Sequence, residues 1–297
     1  VRILLSGASG LIGKTLALFL SRQGHHVTRL VRSSENAHDT LYWNPETGEA
    51  DASKFENFDA VIHLAGENIA QRWTEKKKQR IFASRCRDTW VLSHLLARLE
   101  NPPKTFIGAS AVGFYGNRKE EILTEKSERG SGFLADLCQK WEAATASLQN
   151  RGTRVIHTRF GAVISPQGGM LKLQLPIFRM ALGGKLGTGK QYMSWIALDD
   201  AIQAIYYLLT EQSLSGAFNL VSPYPVTQKE FAKALGCAVH RPAVLTVPAF
   251  ILRLVFGEMA DEVLLSSTRA VPERLLRSGF MFRYPTLKDA LKHFFQS

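Results

Sequence analysis

The segment Ser6-Gly7-Ala8-Ser9-Gly10-Leu11-Ile12-Gly13 follows the apolar run Ile3-Leu4-Leu5 and precedes a stretch of helical period. Three glycines spaced Gly-x-x-Gly-x-x-Gly therefore fall in a strand–turn–helix, where each has a physical task. Gly7 permits the sharp turn leaving the strand. Gly10 lets a pyrophosphate approach the backbone with no Cβ in the way, and Gly13 allows the helix to pack closely on the strand. Ser9, Leu11 and Ile12 complete the set, because the opening of a helix offers unpaired N–H groups and a positive dipole end to a phosphate. The alternative, a glycine-rich turn with no ligand, would not need all three spacings.

The end of the second strand bears on which dinucleotide is bound. A carboxylate there would take the ribose 2′-hydroxyl and repel a 2′-phosphate. The sequence instead reads Leu30-Val31-Arg32-Ser33-Ser34, with no acidic residue before Glu35. Arg32 can clamp a phosphate and Ser33 can donate to it, so NADP(H) is the expected cofactor. Arg32 as an ordinary exposed arginine is the competing account.

The elements that must position these groups alternate in type. Strands are expected at Arg2–Ser6, His26–Val31, Thr40–Trp43, Ala60–Ala65, Phe106–Ala109, Val155–Thr158 and Ala217–Val221. Helical periods cover Leu11–Gln23, Lys76–Leu99 and Gly132–Leu148. This alternation predicts an α/β fold, a Rossmann doubly wound parallel sheet covered by helices. Beyond about residue 165 glycines and prolines become frequent, and the chain is expected to build a smaller, mostly helical C-terminal domain on the substrate side. Residues 1–165 are assigned to the cofactor domain. Residues 166–297 form a mixed region that returns one strand at about 217–221 to the sheet.

Composition sets limits. The 297 residues are 45% hydrophobic and 21% charged, as in ordinary globular proteins. Val1 opens directly into a strand, so no targeting segment is expected, and the apolar stretch Ala243–Phe256 is broken by Pro248 and Arg253. No membrane span is expected. Three cysteines, Cys86, Cys138 and Cys237, in no metal-binding spacing, argue against a disulfide framework or a metal site and fit a cytoplasmic protein. The net charge is +11, yet apart from Lys76-Lys77-Lys78 with Arg80 the basic residues are scattered. A solvated helix face explains that run at least as well as nucleic acid does, and no nucleic-acid partner is expected.

Several further segments resemble the extended and atypical short-chain dehydrogenase/reductases, which include sugar-nucleotide epimerases and dehydratases. They are Ala60–Gly66, Ala109–Gly116, Thr158-Arg159-Phe160-Gly161 and Trp195–Asp200. Ala65-Gly66-Glu67-Asn68-Ile69, Arg72-Trp73, Ser84-Arg85, Trp141-Glu142, Gly187–Gln191, Phe218–Pro223 and Arg269–Leu275 are similar to one subfamily, the epimerase-family proteins with a distinctive C-terminal domain. Its members are described as NADP-dependent oxidoreductases or epimerases, and some have carried the poorly grounded label of cell-division inhibitor. The resemblance implies that Leu64, Ala65 and Gly66 pass the cofactor. It also places Arg85 beside the cofactor, where many relatives have an asparagine, and Ser110 where the family's serine bonds the reacting oxygen. His63 matches a cofactor-adjacent position, with a core histidine as the equal alternative. Arg159, Gln191, Trp195 and Asn219 are expected to line the substrate cleft, and Lys190 or Arg179 to meet an anionic substrate or only solvent. A homodimer is common among relatives of this fold, although no apolar stripe in the sequence demands one.

One departure outweighs these matches. Family enzymes use a Tyr-x-x-x-Lys pair, in which the lysine lowers the tyrosine pKa. In this chain the helix Phe133–Glu142 has Cys138 for the tyrosine and Glu142 for the lysine. Glu142 could act as acid or base if burial raises its pKa. Cys138 is a poor thiolate beside a carboxylate. Tyr115 could supply a phenol, although nothing local activates it. An account in which Cys138 and Trp141 are helix packing and Glu142 is structural stands at least level with these. Two readings of function remain: an NADP(H)-dependent oxidoreductase or epimerase acting on an unidentified small molecule, and an NADPH-responsive binding protein without turnover.

Overall fold

The computed structural model describes residues 1–32 and 38–296. Seven strands form one parallel sheet: β1 (Arg2–Ser6), β2 (His26–Val31), β3 (Thr40–Tyr42), β4 (Ala60–His63), β5 (Thr105–Ala111), β6 (Arg154–Phe160) and β7 (Gly216–Leu220). Their order across the sheet is β7-β6-β5-β4-β1-β2-β3. Successive residues of a strand point to opposite faces, and both faces are covered. Ile3, Leu5, Ile62, Ile107 and Ile156 enter one core. Leu4, Val61, Phe106 and Val155 enter the other. The first core is closed by α1 (Leu11–Arg22) through Leu16 and Leu20, and by the later helix Leu198–Thr210. Because β1 lies between β2 and β4, the strand order reverses beside the glycine turn, where α/β sheets open a crevice for ligands.

Two helices differ from the sequence expectation. The long helix expected over Lys76–Leu99 is α2 (Glu75–Phe82) and α3 (Asp88–Ala97), joined by a π-helical turn at Ala83–Arg87. The wider turn changes which residues face the sheet, and such turns recur at functional positions. The helix expected over Gly132–Leu148 ends earlier, as α4 (Phe133–Ala143), and a short turn follows at Ala146–Gln149. The Thr145 hydroxyl donates to the Glu142 carbonyl and meets His157 Nε2, each at 2.9 Å, which holds the chain out of helical register.

The C-terminal part packs helices Gly169–Arg179, Gln228–Ala238 and Leu287–Gln296 around a core containing Trp195 and Phe231. Between these the chain re-enters the half that holds the large sheet once, for helix Leu198–Thr210 and β7 in succession. Asp200 on that helix ties the halves together. Its carboxylate accepts the backbone N–H of Arg283 at 2.8 Å and of Tyr284 at 2.9 Å. Among the described residues, no helix is long and apolar enough to cross a membrane. Replacing Asp200 by Ala strands two backbone donors, and we expect a loss of ~3 kcal/mol in urea unfolding with an unchanged m-value.

Candidate functional site

At the cofactor end the glycines act by exclusion. Gly7 has φ +71°, and a Cβ there would lie 2.7 Å from the Leu64 carbonyl carbon and 2.8 Å from the Ala65 nitrogen. That close approach is fixed by Ser6, whose hydroxyl oxygen accepts the N–H groups of Leu64 (3.2 Å) and Ala65 (3.3 Å). A Cβ on Gly13 would overlap the Gly7 carbonyl. Gly10 differs. Its φ of −74° suits any residue, and a Cβ would meet only the Gly7 oxygen, at 3.4 Å. The fold itself does not require glycine there. The first turn of α1, which Gly10 precedes, has no side-chain cap and no acidic residue, and Ser9 and Gly10 are exposed. Open backbone donors beside a position kept free of a side chain fit a pyrophosphate.

Arg32 follows β2 and is exposed, while Ser33 lies outside the described residues. Near Arg32 the first residue of α3 supplies a carboxylate that the sequence did not reveal. Asp88 is 8% exposed and accepts from Arg87 Nε at 3.0 Å and Nη2 at 2.8 Å. Burial raises its pKa, against the opposing charges of Arg87 and Arg32. His63 proves to be a core residue. It is fully buried between Trp43 and Phe106, its Nδ1 lies 2.6 Å from the Ser6 hydroxyl, and burial holds its pKa at about 4.

Beyond this end, β5, β6, β7 and α4 meet in one buried network. Arg159 is 5% exposed and grips Glu142 with both edges of the carboxylate engaged, Nε to Oε1 and Nη2 to Oε2, each at 2.8 Å. Ser110 donates to the same Oε1 at 2.6 Å. Arg159 Nη1 donates to the Tyr115 hydroxyl at 3.0 Å, and Tyr115 donates to Asn219 Oδ1 at 2.8 Å. Asn219 Nδ2 ends the chain on the Val271 carbonyl at 3.0 Å. The Arg159 Cζ sits over the Phe114 ring, 3.5 Å from its centre.

This geometry corrects the expectation that burial raises the Glu142 pKa. Burial does act in that direction, but the hydrogen bonds and charge of Arg159 outweigh it and the carboxyl sits below its ordinary value. Tyr115 is fully buried and its pKa is raised by burial against the pull of Arg159. Cys138 is 1% exposed, and burial, reinforced by Glu142, pushes its thiol up to about 12. None of the three exchanges a proton readily near neutral pH in this arrangement.

All four residues expected along the substrate cleft are internal, Arg159 being held in the network above. Trp195 is fully buried, with its indole N–H on the Tyr224 carbonyl at 3.0 Å. Gln191 Nε2 bridges the carbonyls of Leu186 and Leu264, both at 3.1 Å. Asn219 is fully buried in the network above. Lys190 and Arg179 are exposed. A cavity of about 260 Å³ does open between the halves, lined by Gly113, Gly116, Gly132, Leu134, Glu262 and Thr268 among others. Glu262 Oε2 accepts the Leu134 N–H at the start of α4, 3.1 Å away. The basic run is largely neutralised: Lys77 and Arg80 meet Glu67 at 2.6 and 3.1 Å, and Lys78 meets Glu75 and Glu258 at 2.9 and 2.8 Å.

Glu142→Gln leaves Arg159 buried without its counter-charge, and we expect a loss of ~3 kcal/mol at neutral pH. Because the folded carboxyl titrates below its ordinary 4.5, its stabilisation is complete above that value and fades as the pH falls through the depressed one. Urea melts across acid pH should show this component in the wild type and not in Glu142→Gln.

The NAD dependent epimerase/dehydratase family model matches residues 3–221, and a domain of unknown function, DUF1731, matches residues 247–294. The epimerase family protein ML0860 of Mycobacterium leprae is 45% identical over 292 residues, covering 98% of this chain and 94% of that protein. The epimerase family protein YfhF of Bacillus subtilis is 37% identical over 296 residues, covering 98% and 97%. The crystal structure of the human epimerase family protein SDR39U1 (isoform 2) with NADPH superposes at a TM-score of 0.91, with 30% identity and full coverage of both chains. With the glycine turn, the strand order and the match along its whole length in agreement, this chain belongs to the NAD dependent epimerase/dehydratase family.

Proposed function

We propose that the protein binds NADP(H) at the glycine turn and acts as an oxidoreductase or epimerase on a small molecule, without a Tyr-x-x-x-Lys pair. The observation that carries this reading is Gly10, whose missing Cβ nothing inside the chain demands, at the mouth of an uncapped helix. Arg32 supports the 2′-phosphate form over NAD, as does the NADPH in the human relative's structure. Bound cofactor would supply hydride exchange at its nicotinamide. The chain's own part is to hold the pyrophosphate on the first turn of α1, to seat the 2′-phosphate at Arg32 and to bound the reacting end with Ser110 and α4. Since the Ser110 proton is directed to Glu142 and Glu142 is held by Arg159, proton transfer is assigned to the substrate or to water.

That occupied network favours the second reading, an NADPH-responsive protein without turnover. A panel of carbonyl and sugar substrates, followed by nicotinamide absorbance and by isomer analysis, separates the two.

Gly10→Ala should leave the melting temperature near the wild-type value while weakening NADPH about tenfold or more in calorimetry. Gly13→Ala, by contrast, should destabilise the fold. Unchanged NADPH affinity in Gly10→Ala would remove the reading's main support. Arg32→Asp should weaken NADPH by about tenfold and NADH by much less, since only the former carries the 2′-phosphate.

A further inference from the structure

Among the described residues, more than half of the large apolar side chains left exposed fall within residues 173–182 and 244–255. That concentration marks one face of the C-terminal part rather than scattered surface positions. Helix Gly169–Arg179 buries Leu171, Leu175 and Phe178, and turns Leu173 and Ile177 outward beside Lys172 and Arg179. Helix Ala249–Phe256 buries Leu252 and turns out Phe250, Ile251, Leu254 and Val255, with Phe250 67% and Leu254 72% exposed. The strands Gly184–Leu186 and Leu245–Val247 pair in parallel and bring the two segments together. Leu182 and Val244, which precede these strands, are exposed as well. On the same seam Arg241 Nε donates to the Arg179 carbonyl at 3.2 Å.

The charge that these segments carry has one sign. Residues 143–198 and 231–257 contain no aspartate or glutamate. Lys172, Arg179 and Arg241 are exposed and form no ion pair among the described residues. The acidic residues that follow the second helix, Glu258 and Asp261, are already held by Lys78 and Arg253. An apolar face rimmed by unpaired cations suits an anionic lipid surface, where the apolar side chains enter the acyl boundary and the cations meet the headgroups. The net charge of +11 acts in the same direction. A second copy suits this face poorly, because a two-fold contact sets the same cations of both copies against one another. Nucleic acid suits it poorly too, since Phe250 and Leu254 offer a phosphate no donor. Lipid accepts protruding side chains without a matching contour, which a folded protein partner would have to supply.

We propose that this face docks the protein on an anionic membrane surface, resting in the headgroup layer without crossing it. Sedimentation with vesicles of phosphatidylcholine alone, and of equal parts phosphatidylcholine and phosphatidylglycerol, tests it. Wild type should bind the mixed vesicles about a hundredfold tighter at low salt. Phe250→Ser combined with Leu254→Ser should weaken that binding about tenfold or more, with an unchanged melting temperature. Lys172→Gln combined with Arg241→Gln should lower the preference for the mixed vesicles about tenfold. Lys104 and Arg151 are exposed just before β5 and β6. Lys104→Gln combined with Arg151→Gln removes the same charge away from the face and should change the preference less than about threefold. Failure to bind the mixed vesicles, equal binding of both kinds, or full binding by the serine variant overturns the proposal. An equal loss in the two glutamine variants overturns it as well, by assigning the binding to net charge alone. Sedimentation velocity decides on the second copy: a wild-type dimer that the serine variant turns into monomer gives the face to another chain and overturns the proposal. Should the double serine variant not fold, Leu254→Ser alone carries the same comparison.

Discussion

The bidentate pair between Arg159 and Glu142 governs this site. Two charges removed from water are tolerated only when each is matched in geometry and their remaining hydrogen-bonding groups are satisfied. Arg159 meets that condition with all three nitrogens, and Glu142 with the added bond from Ser110. The pair therefore fixes the register among β5, β6 and α4, and through Tyr115 and Asn219 it extends to β7. Helix α4 brings a carboxylate into this wall, and β6 answers it with an arginine. The result is a wall whose buried charges compensate one another.

The two ends of the crevice are built on different principles. At the glycine turn, shape decides: backbone segments approach so closely at Gly7 and Gly13 that no side chain fits, and Ser6 holds the approach by taking two N–H groups. At the far end, charge compensation decides. Lys77 and Arg80 close on Glu67, and Arg159 on Glu142. Arg85, packed on an aromatic ring and on a glycine, is left out of this pairing.

What the sequence revealed was what depends on neighbours along the chain. The glycine spacing, the strands and the periodic helices are local patterns, and the structure places them within a few residues of expectation. The seven parallel strands followed from their alternation with helices. What stayed hidden depends on partners distant in sequence. Ser6 acts through residues 64 and 65, which adjoin it only because β1 and β4 are neighbours. Asp88 comes near Arg32 through the docking of α3. Arg159 and Trp195 both belong to segments matching family motifs that line clefts, yet one is spent on Glu142 and the other on the packing of the C-terminal core. The π-helical turn has no periodic signature, since it adds a residue to an otherwise continuous helix.

The segment around residue 270 has a consequence for how such proteins can diversify. Arg269–Ala270 pairs in parallel with Ile122–Leu123, the Val271 carbonyl takes the Asn219 amide, and Arg274 reaches the carbonyls of Ser215 and Ala217. Two family models divide the polypeptide between residues 221 and 247, but the physical seams run across that division. The tail completes the wall that Tyr115 and Asn219 begin, so the two segments are not interchangeable modules. A chimera that borrowed another relative's tail would inherit a mismatched wall rather than a transplanted specificity, and change in such a lineage has to proceed by coordinated substitution on both sides of the seam.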